Sequence, residues 1–140
     1  MKHKVLIVDD EKNTREGLKW SLEESDYECR TAAGSAEAPG VLVQHPFALV
    51  ITDLKMPGMD GLELLRRIKA EDSTVQVIML TAHGTVETAV EAMSVGATHY
   101  LTKPVDLKEL KVKCEKALGT GRLARENIEL KTIVNKRTGF

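Results

Sequence analysis

The sequence predicts an α/β fold, a five-stranded parallel sheet covered by helices on both faces. Three observations carry this prediction. Apolar runs of strand length recur five times, and segments with helical spacing separate them. The inner runs VLIV and VIML are almost unbroken apolar stretches, as strands buried on both faces must be. Strands are expected at 4–9, 27–32, 48–52, 75–80 and 98–102, joined by right-handed crossovers.

The intervening segments support helices. Residues 14–24 place Leu18 and Leu22 one turn apart, and 61–70 offer Leu62, Leu65 and Ile68 on one face. Residues 86–95 align Val86, Ala89, Val90 and Met93, while 107–118 align Leu107, Leu110, Cys114 and Leu118. Each helix thus has one apolar stripe, of the kind that faces a core. The second segment, AEAPGVLVQ, contains Pro39 and Gly40, which cost a helix interior about 3 and 1 kcal/mol. That helix should be kinked, short, or begin near Pro39. Trp20 lies off the Leu18/Leu22 stripe and is expected to be partly exposed.

A chain of 140 residues is one domain of ordinary size. Cys29 and Cys114 lack any C-x-x-C spacing and read as small buried residues in a reducing cytosol rather than a metal or redox site. The opening MKHKVLIVDD has only four apolar residues in a row, too few for a signal peptide or a membrane span, so a soluble cytoplasmic protein without membrane contact is expected. The net charge of -1 hides an asymmetry: residues 1–102 carry 10 Lys+Arg against 16 Asp+Glu, and 103–140 carry 10 against 5. Acidic residues are interspersed in the basic tail, and the terminal Phe140 is its only aromatic for base stacking. A solvated helix face, with no direct DNA contact, is the better reading.

In an open parallel sheet, ligands bind beyond the carboxyl ends of the strands. There VLIVDD, LVITD, IMLTA and YLTKP end, bringing Asp9, Asp10, Asp53, Thr81 and Lys103 to one edge. Singly, each has a plain explanation: a helix cap, a satisfied loop amide, an ion pair. Jointly, three crowded carboxylates require raised pKa values or a bound cation. Oxygen ligands without nearby His or Cys suit a hard ion, and a site of few protein ligands suits Mg2+ better than Ca2+. With the charge offset, a carboxylate oxygen can attack a phosphoryl group, and Asp53, on the central strand, is the candidate nucleophile. Lys103 can supply a charge and Thr81 a hydroxyl.

Asp-Asp near the amino end, D-x-x-M-P-G-M-D-G, T-A-H-G and K-P, in this order at successive strand ends, resemble the receiver domain of two-component response regulators over residues 3–118. The resemblance implies a doubly wound, flavodoxin-like sheet of order 2-1-3-4-5, an order for which a receiver is a standard example. It implies Asp53 as phosphoacceptor, Asp9 and Asp10 as the acidic pair holding Mg2+, and the backbone carbonyl of Lys55 as a further metal ligand. Thr81 resembles the switch hydroxyl, Lys103 the phosphate partner, and Tyr100 the aromatic that changes exposure on activation. Pro57 and Gly58 would turn the loop so that the Lys55 carbonyl faces the ion. A cis Lys103–Pro104 bond is implied, and Lys55 and His83 would tune how long the phosphoryl group survives. Such a domain is regulatory rather than an enzyme, although it promotes its own aspartyl phosphorylation and dephosphorylation.

After Gly119-Thr-Gly121, which is expected to interrupt the fifth helix, Leu123, Asn127, Leu130 and Val134 resume spacings of four and three. Residues 1–118 thus read as a receiver and 119–140 as a helical linker toward an output domain that this chain lacks. The L-x-x-E-N-x-x-L segment and terminal T-G-F resemble the linker of regulators of the nitrogen-regulation type, whose output domain is an ATPase acting on sigma-54 RNA polymerase. The implied partners are a sensor histidine kinase and a second copy of the chain, meeting through helix 4, strand 5 and helix 5 or through the linker. The rival reading is an unphosphorylated structural receiver serving as a constitutive dimerisation module, against which the intact acidic set argues. A cofactor-binding flavodoxin is disfavoured because DDEKN offers carboxylates where a phosphate needs amides.

Overall fold

The computed structural model describes residues 3–34, 37–44, 46–56, 60–82 and 84–138, and in the last helix no side chain at 125 or beyond 126. His83, Pro57 and Gly58 lie outside the described residues, as do the side chains of Asn127, Leu130 and Val134. Five strands alternate with five helices: β1 (Lys4–Val8), α1 (Lys12–Glu24), β2 (Glu28–Ala32), α2 (Ala38–Gln44), β3 (Leu49–Thr52), α3 (Gly61–Glu71), β4 (Gln76–Thr81), α4 (Val86–Val95), β5 (His99–Thr102) and α5 (Leu107–Thr138). The strands are all parallel, in the order β2-β1-β3-β4-β5.

Alternation along each strand builds two cores. Leu6, Val8, Val50, Val77 and Met79 point to the face covered by α2, α3 and α4, where Leu64, Leu65 and Ile68 meet them. Val5, Ile7, Leu49, Ile51, Ile78 and Leu80 point to the opposite face, against Leu18 and Leu22 of α1 and Leu110, Cys114 and Ala117 of α5. Burying a side chain such as Leu65 or Leu110 completely contributes about 2 kcal/mol. Both cysteines are free and buried in the second core. Burial above all, then Glu23 beside Cys29 and Cys29 and Glu115 beside Cys114, pushes the Cys29 and Cys114 thiols up to about 11 and about 12, which keeps them protonated and unreactive.

Three helices differ informatively from expectation or meet it in a particular way. Helix α2 does begin beside Pro39, whose missing amide proton costs nothing in a first turn. Helix α4 departs from its apparent stripe: Val86, Val90 and Met93 are exposed, and the buried residue is Ala92. The small Ala92 lets α4 lie close to the sheet while the larger residues are left facing outward.

Helix α5 corrects a second expectation, because it runs without interruption from Leu107 through Gly119-Thr-Gly121 to Thr138. A glycine costs a helix about 1 kcal/mol but does not end it unless a cap competes. Gly121 is also needed there: a Cβ on it would lie 3.1 Å from Gln76 Cγ and 3.2 Å from the Thr74 carbonyl oxygen. The helix thus passes tightly under the start of β4. Among the described residues, no helix is long and apolar enough to cross a membrane.

Candidate functional site: an acidic cluster at the carboxyl edge of the sheet

Each residue of the site is placed by the strand that delivers it. Strand β1 hands Asp9 to the edge just beyond Val8, and β3 hands over Asp53 just beyond Thr52. The adjacent strands are in register, with Val8 opposite Thr52, so the two aspartates arrive side by side. The amide of Asp53 donates to the Val8 carbonyl (3.0 Å), extending that ladder to the site itself. Both aspartates are buried and Asp10 is exposed, and carboxylate oxygens of all three lie within 4.8 Å of one another.

Lys103 enters from the end of β5 and bridges the two buried acids, its Nζ donating to Asp9 Oδ2 (2.8 Å) and Asp53 Oδ2 (3.0 Å). Burial lowers the Lys103 pKa, but the hydrogen bonds and negative charges of Asp9 and Asp53 outweigh it and hold the ammonium above its usual range. The amide of Lys103 donates to the Thr81 carbonyl (2.9 Å), and the Lys103–Pro104 bond is cis, as the resemblance implies. Thr81, fully buried, closes β4 beside β3.

Local turns aim the carboxylates. Asp9 Oδ1 accepts from the Glu11 amide (2.9 Å), and Asp53 Oδ1 from the amide of exposed Lys55 (3.2 Å). Arg15, one turn into α1, reaches back to donate to the Asp9 carbonyl (2.9 Å). Gly61 seals the far side: its amide donates to Leu54 O (2.7 Å), and a Cβ on it would fall 2.2 Å from the Asp53 carbonyl oxygen. Only glycine lets α3 begin so near Asp53. The helix is then capped by Asp60, which accepts from the Glu63 amide (2.9 Å).

The donor set fits a hard divalent cation. Three formal negative charges face one ammonium, which leaves two unbalanced, and each oxygen already bound once retains a second lone pair. Among the described residues the Asp10 carboxylate has no hydrogen-bond partner of its own. The sequence reading brought Asp9, Asp10, Asp53 and Lys103 to this edge, and the fold assembles them there. Tyr100 stands apart, half-buried on β5 against the α4 side, with its hydroxyl 2.8 Å from Thr88 Oγ1. Arg15, Gly61 and Thr88 were not singled out from sequence; Thr85-x-x-Thr88, two hydroxyls at capping-box spacing, was the signal for the last.

A parallel sheet of this order with acids and a lysine converging at its carboxyl edge is the arrangement of a receiver-type regulatory domain. The chain belongs to the response regulator receiver domain family, whose model matches residues 5–115. It is 38% identical over 96% of its length to a putative NtrX-like response regulator of Rickettsia bellii, of which it spans only 28%. The NtrX structure from Brucella abortus superposes with a TM-score of 0.87 at 35% identity, over 93% of this chain and 30% of that one. The beryllofluoride-activated NtrC4 receiver domain dimer superposes with a TM-score of 0.80 at 33% identity, over 84% of this chain and 98% of that one.

Proposed function

We propose that this chain accepts a phosphoryl group on Asp53 from a sensor histidine kinase and passes the signal to an output domain beyond its carboxyl end. The observation that carries the reading is Lys103 held between Asp9 and Asp53, with Asp10 alongside. Asp53 attacks the phosphorus as the phosphorus–nitrogen bond of a phosphohistidine breaks, and the new phosphorus–oxygen bond makes an aspartyl phosphate. Asp9, Asp10, Asp53 and the Lys55 carbonyl hold Mg2+, which when bound offsets charge on the carboxylates and on the transferring oxygens. Lys103 moves its hydrogen bond from Asp53 to the phosphoryl group. Thr81 donates its hydroxyl to the same group, and Tyr100 turns into the space so vacated. Lys55 and His83 tune the lifetime of the phosphoryl group.

Residues 1–118 form the receiver and 119–140 the linker. The exposed Val86, Val90 and Met93 on α4, with Val112 on α5, support a homodimer through α4, β5 and α5 or through the linker, and the NtrC4 dimer adds weight. The likeness of the linker to that of nitrogen-regulation-type regulators supports a cytoplasmic regulator with a sigma-54-type output domain, and the chain spans 28% of an NtrX-like relative. The test is intact mass after incubation with Mg2+ and a small phosphodonor. One added phosphoryl group is expected only in the metal-replete wild type, not in Asp53→Asn or after chelation. No gain under any condition overturns the reading. The exposed stripe on α4 would then favour the constitutive dimerisation module, read as an unchanged dimer fraction by light scattering.

A further inference from the structure

The group that holds Tyr100 in place is the hydroxyl of Thr88, which also caps helix α4. Thr85 is the N-cap of that helix, and the two threonines form a reciprocal box: Thr88 N–H donates to Thr85 Oγ1 (3.1 Å) and Thr85 N–H to Thr88 Oγ1 (2.9 Å). The Thr88 hydroxyl also lies 3.0 Å from the Thr85 carbonyl oxygen, 3.2 Å from Thr85 Oγ1 and 2.8 Å from Tyr100 Oη. A hydroxyl has one proton and two lone pairs. The three shortest of these four contacts are satisfied together when Thr88 gives its proton to the Thr85 carbonyl and accepts from both the Thr85 amide and the Tyr100 phenol. Tyrosine is then the donor, and its bond completes the cap.

Gly84 makes room for this arrangement. A Cβ on Gly84 would fall 2.8 Å from Tyr100 Oη and 2.9 Å from Thr102 Cγ2, so the end of the ring occupies space that any other residue would fill. Ring position, the loop before α4 and the first turn of α4 therefore meet at one oxygen atom.

We propose that Thr88 is the positioning residue of the Tyr100 switch, coupling the ring directly to the amino-terminal cap of α4, with Gly84 as the gap that admits it. The coupling deepens the proposed function and rests on it for its use in signalling, but it exists in the unmodified chain. When the ring leaves, the Thr88 oxygen loses one donor. The first turn of α4 loosens, next to the exposed Val86 and Val90. The signal thus reaches the outer face of α4 through the cap.

The experiment combines ring-labelled tyrosine NMR with hydrogen exchange of the α4 first-turn amides, on Thr88→Val, Thr88→Ser and Tyr100→Phe. Thr88→Val should shift the Tyr100 ring resonance and speed exchange in that turn about fivefold, the scale of one neutral hydrogen bond. Thr88→Ser should restore both. Tyr100→Phe, which removes the same bond from the other side, should speed exchange comparably. A Thr88→Val chain whose ring resonance is unmoved, or a Tyr100→Phe chain with unaltered exchange, reduces Thr88 to a cap and overturns the proposal. Mass measurement on the same samples separates the two ideas. Absence of phosphorylation would sink the function, while the ring and exchange data decide the coupling by themselves.

Discussion

The two edges of the sheet handle polar groups in opposite ways. At the carboxyl edge, Asp9, Asp10 and Asp53 carry more charge than Lys103 can balance. At the amino edge, polar groups satisfy one another along a chain that ends on a single carboxylate: Thr98 Oγ1 donates to Gln76 Oε1 (2.6 Å), Gln76 Nε2 to the Thr74 carbonyl (3.0 Å), and Thr74 Oγ1 to Asp72 Oδ1 (2.6 Å). That closed network serves as the bed for α5 at Gly121. The contrast separates an edge left with unbalanced charge from an edge that holds a helix. A fully paired polar cluster stabilises and offers nothing to a ligand, whereas an excess of negative charge costs stability that a cation can return.

The largest test of the contrast removes the ammonium. Lys103→Met leaves two buried carboxylates facing each other and should cost about 3 kcal/mol in urea unfolding. Saturating Mg2+ should raise the melting temperature of this variant more than that of the wild type. Equal shifts would mean that the carboxylates do not hold the ion. Because the Lys103 pKa is raised in the fold, its stabilisation is complete below the ordinary lysine value of 10.5 and disappears as pH climbs through the higher folded value.

Glycines at the two edges give the next test. Gly61→Ala should cost up to about 3 kcal/mol, since the added carbon meets backbone at Asp53, and it should weaken metal binding as well. At the other edge, Gly121→Ala should cost about 1 kcal/mol without touching Mg2+ affinity, because the added carbon meets Gln76 and Thr74. Gly119→Ala, with nothing within 4 Å of the new carbon, should instead stabilise by up to about 1 kcal/mol. Denaturation of the three variants side by side checks the ordering, and a stabilising Gly121→Ala would refute the tight passage of α5.

The smallest expected effect comes from His99, which breaks the rule of the amino edge. Its Nε2 is buried without a hydrogen-bond partner among the described residues. Burial, then Lys113 and Lys116, holds the imidazole below its usual 6.5. The unfolded chain therefore takes up the proton first as pH falls. Stability should be full above 6.5, decline below it, and level off beneath the folded value. His99→Gln should flatten that part of the profile, and an unchanged slope would assign the decline to other groups.

Much of this was legible in the residues, and the misses have physical causes. Apolar runs of strand length located all five strands to within a residue or so at each end, because burial on both faces leaves an inner strand few alternatives. The acids at strand ends were readable because a parallel sheet sends every carboxyl end to one edge. Periodicity failed on α4, where spacing reports a stripe but not which way it faces, and small Ala92 took the sheet side. It failed again at Gly119 and Gly121, read as a break when one of them permits a close approach.

The sequence by itself determined the strand–helix alternation, the edge at which chemistry collects and the residue types gathered there, since these follow from local pattern and from the handedness of the crossovers. Tertiary structure alone decided that Lys103 bridges Asp9 and Asp53, that Arg15 reaches the Asp9 carbonyl, and that Tyr100 ends on the α4 cap. Those are contacts between atoms 6 to 94 residues apart in the chain, and no periodicity encodes a distance between separate strands and helices until packing has set it.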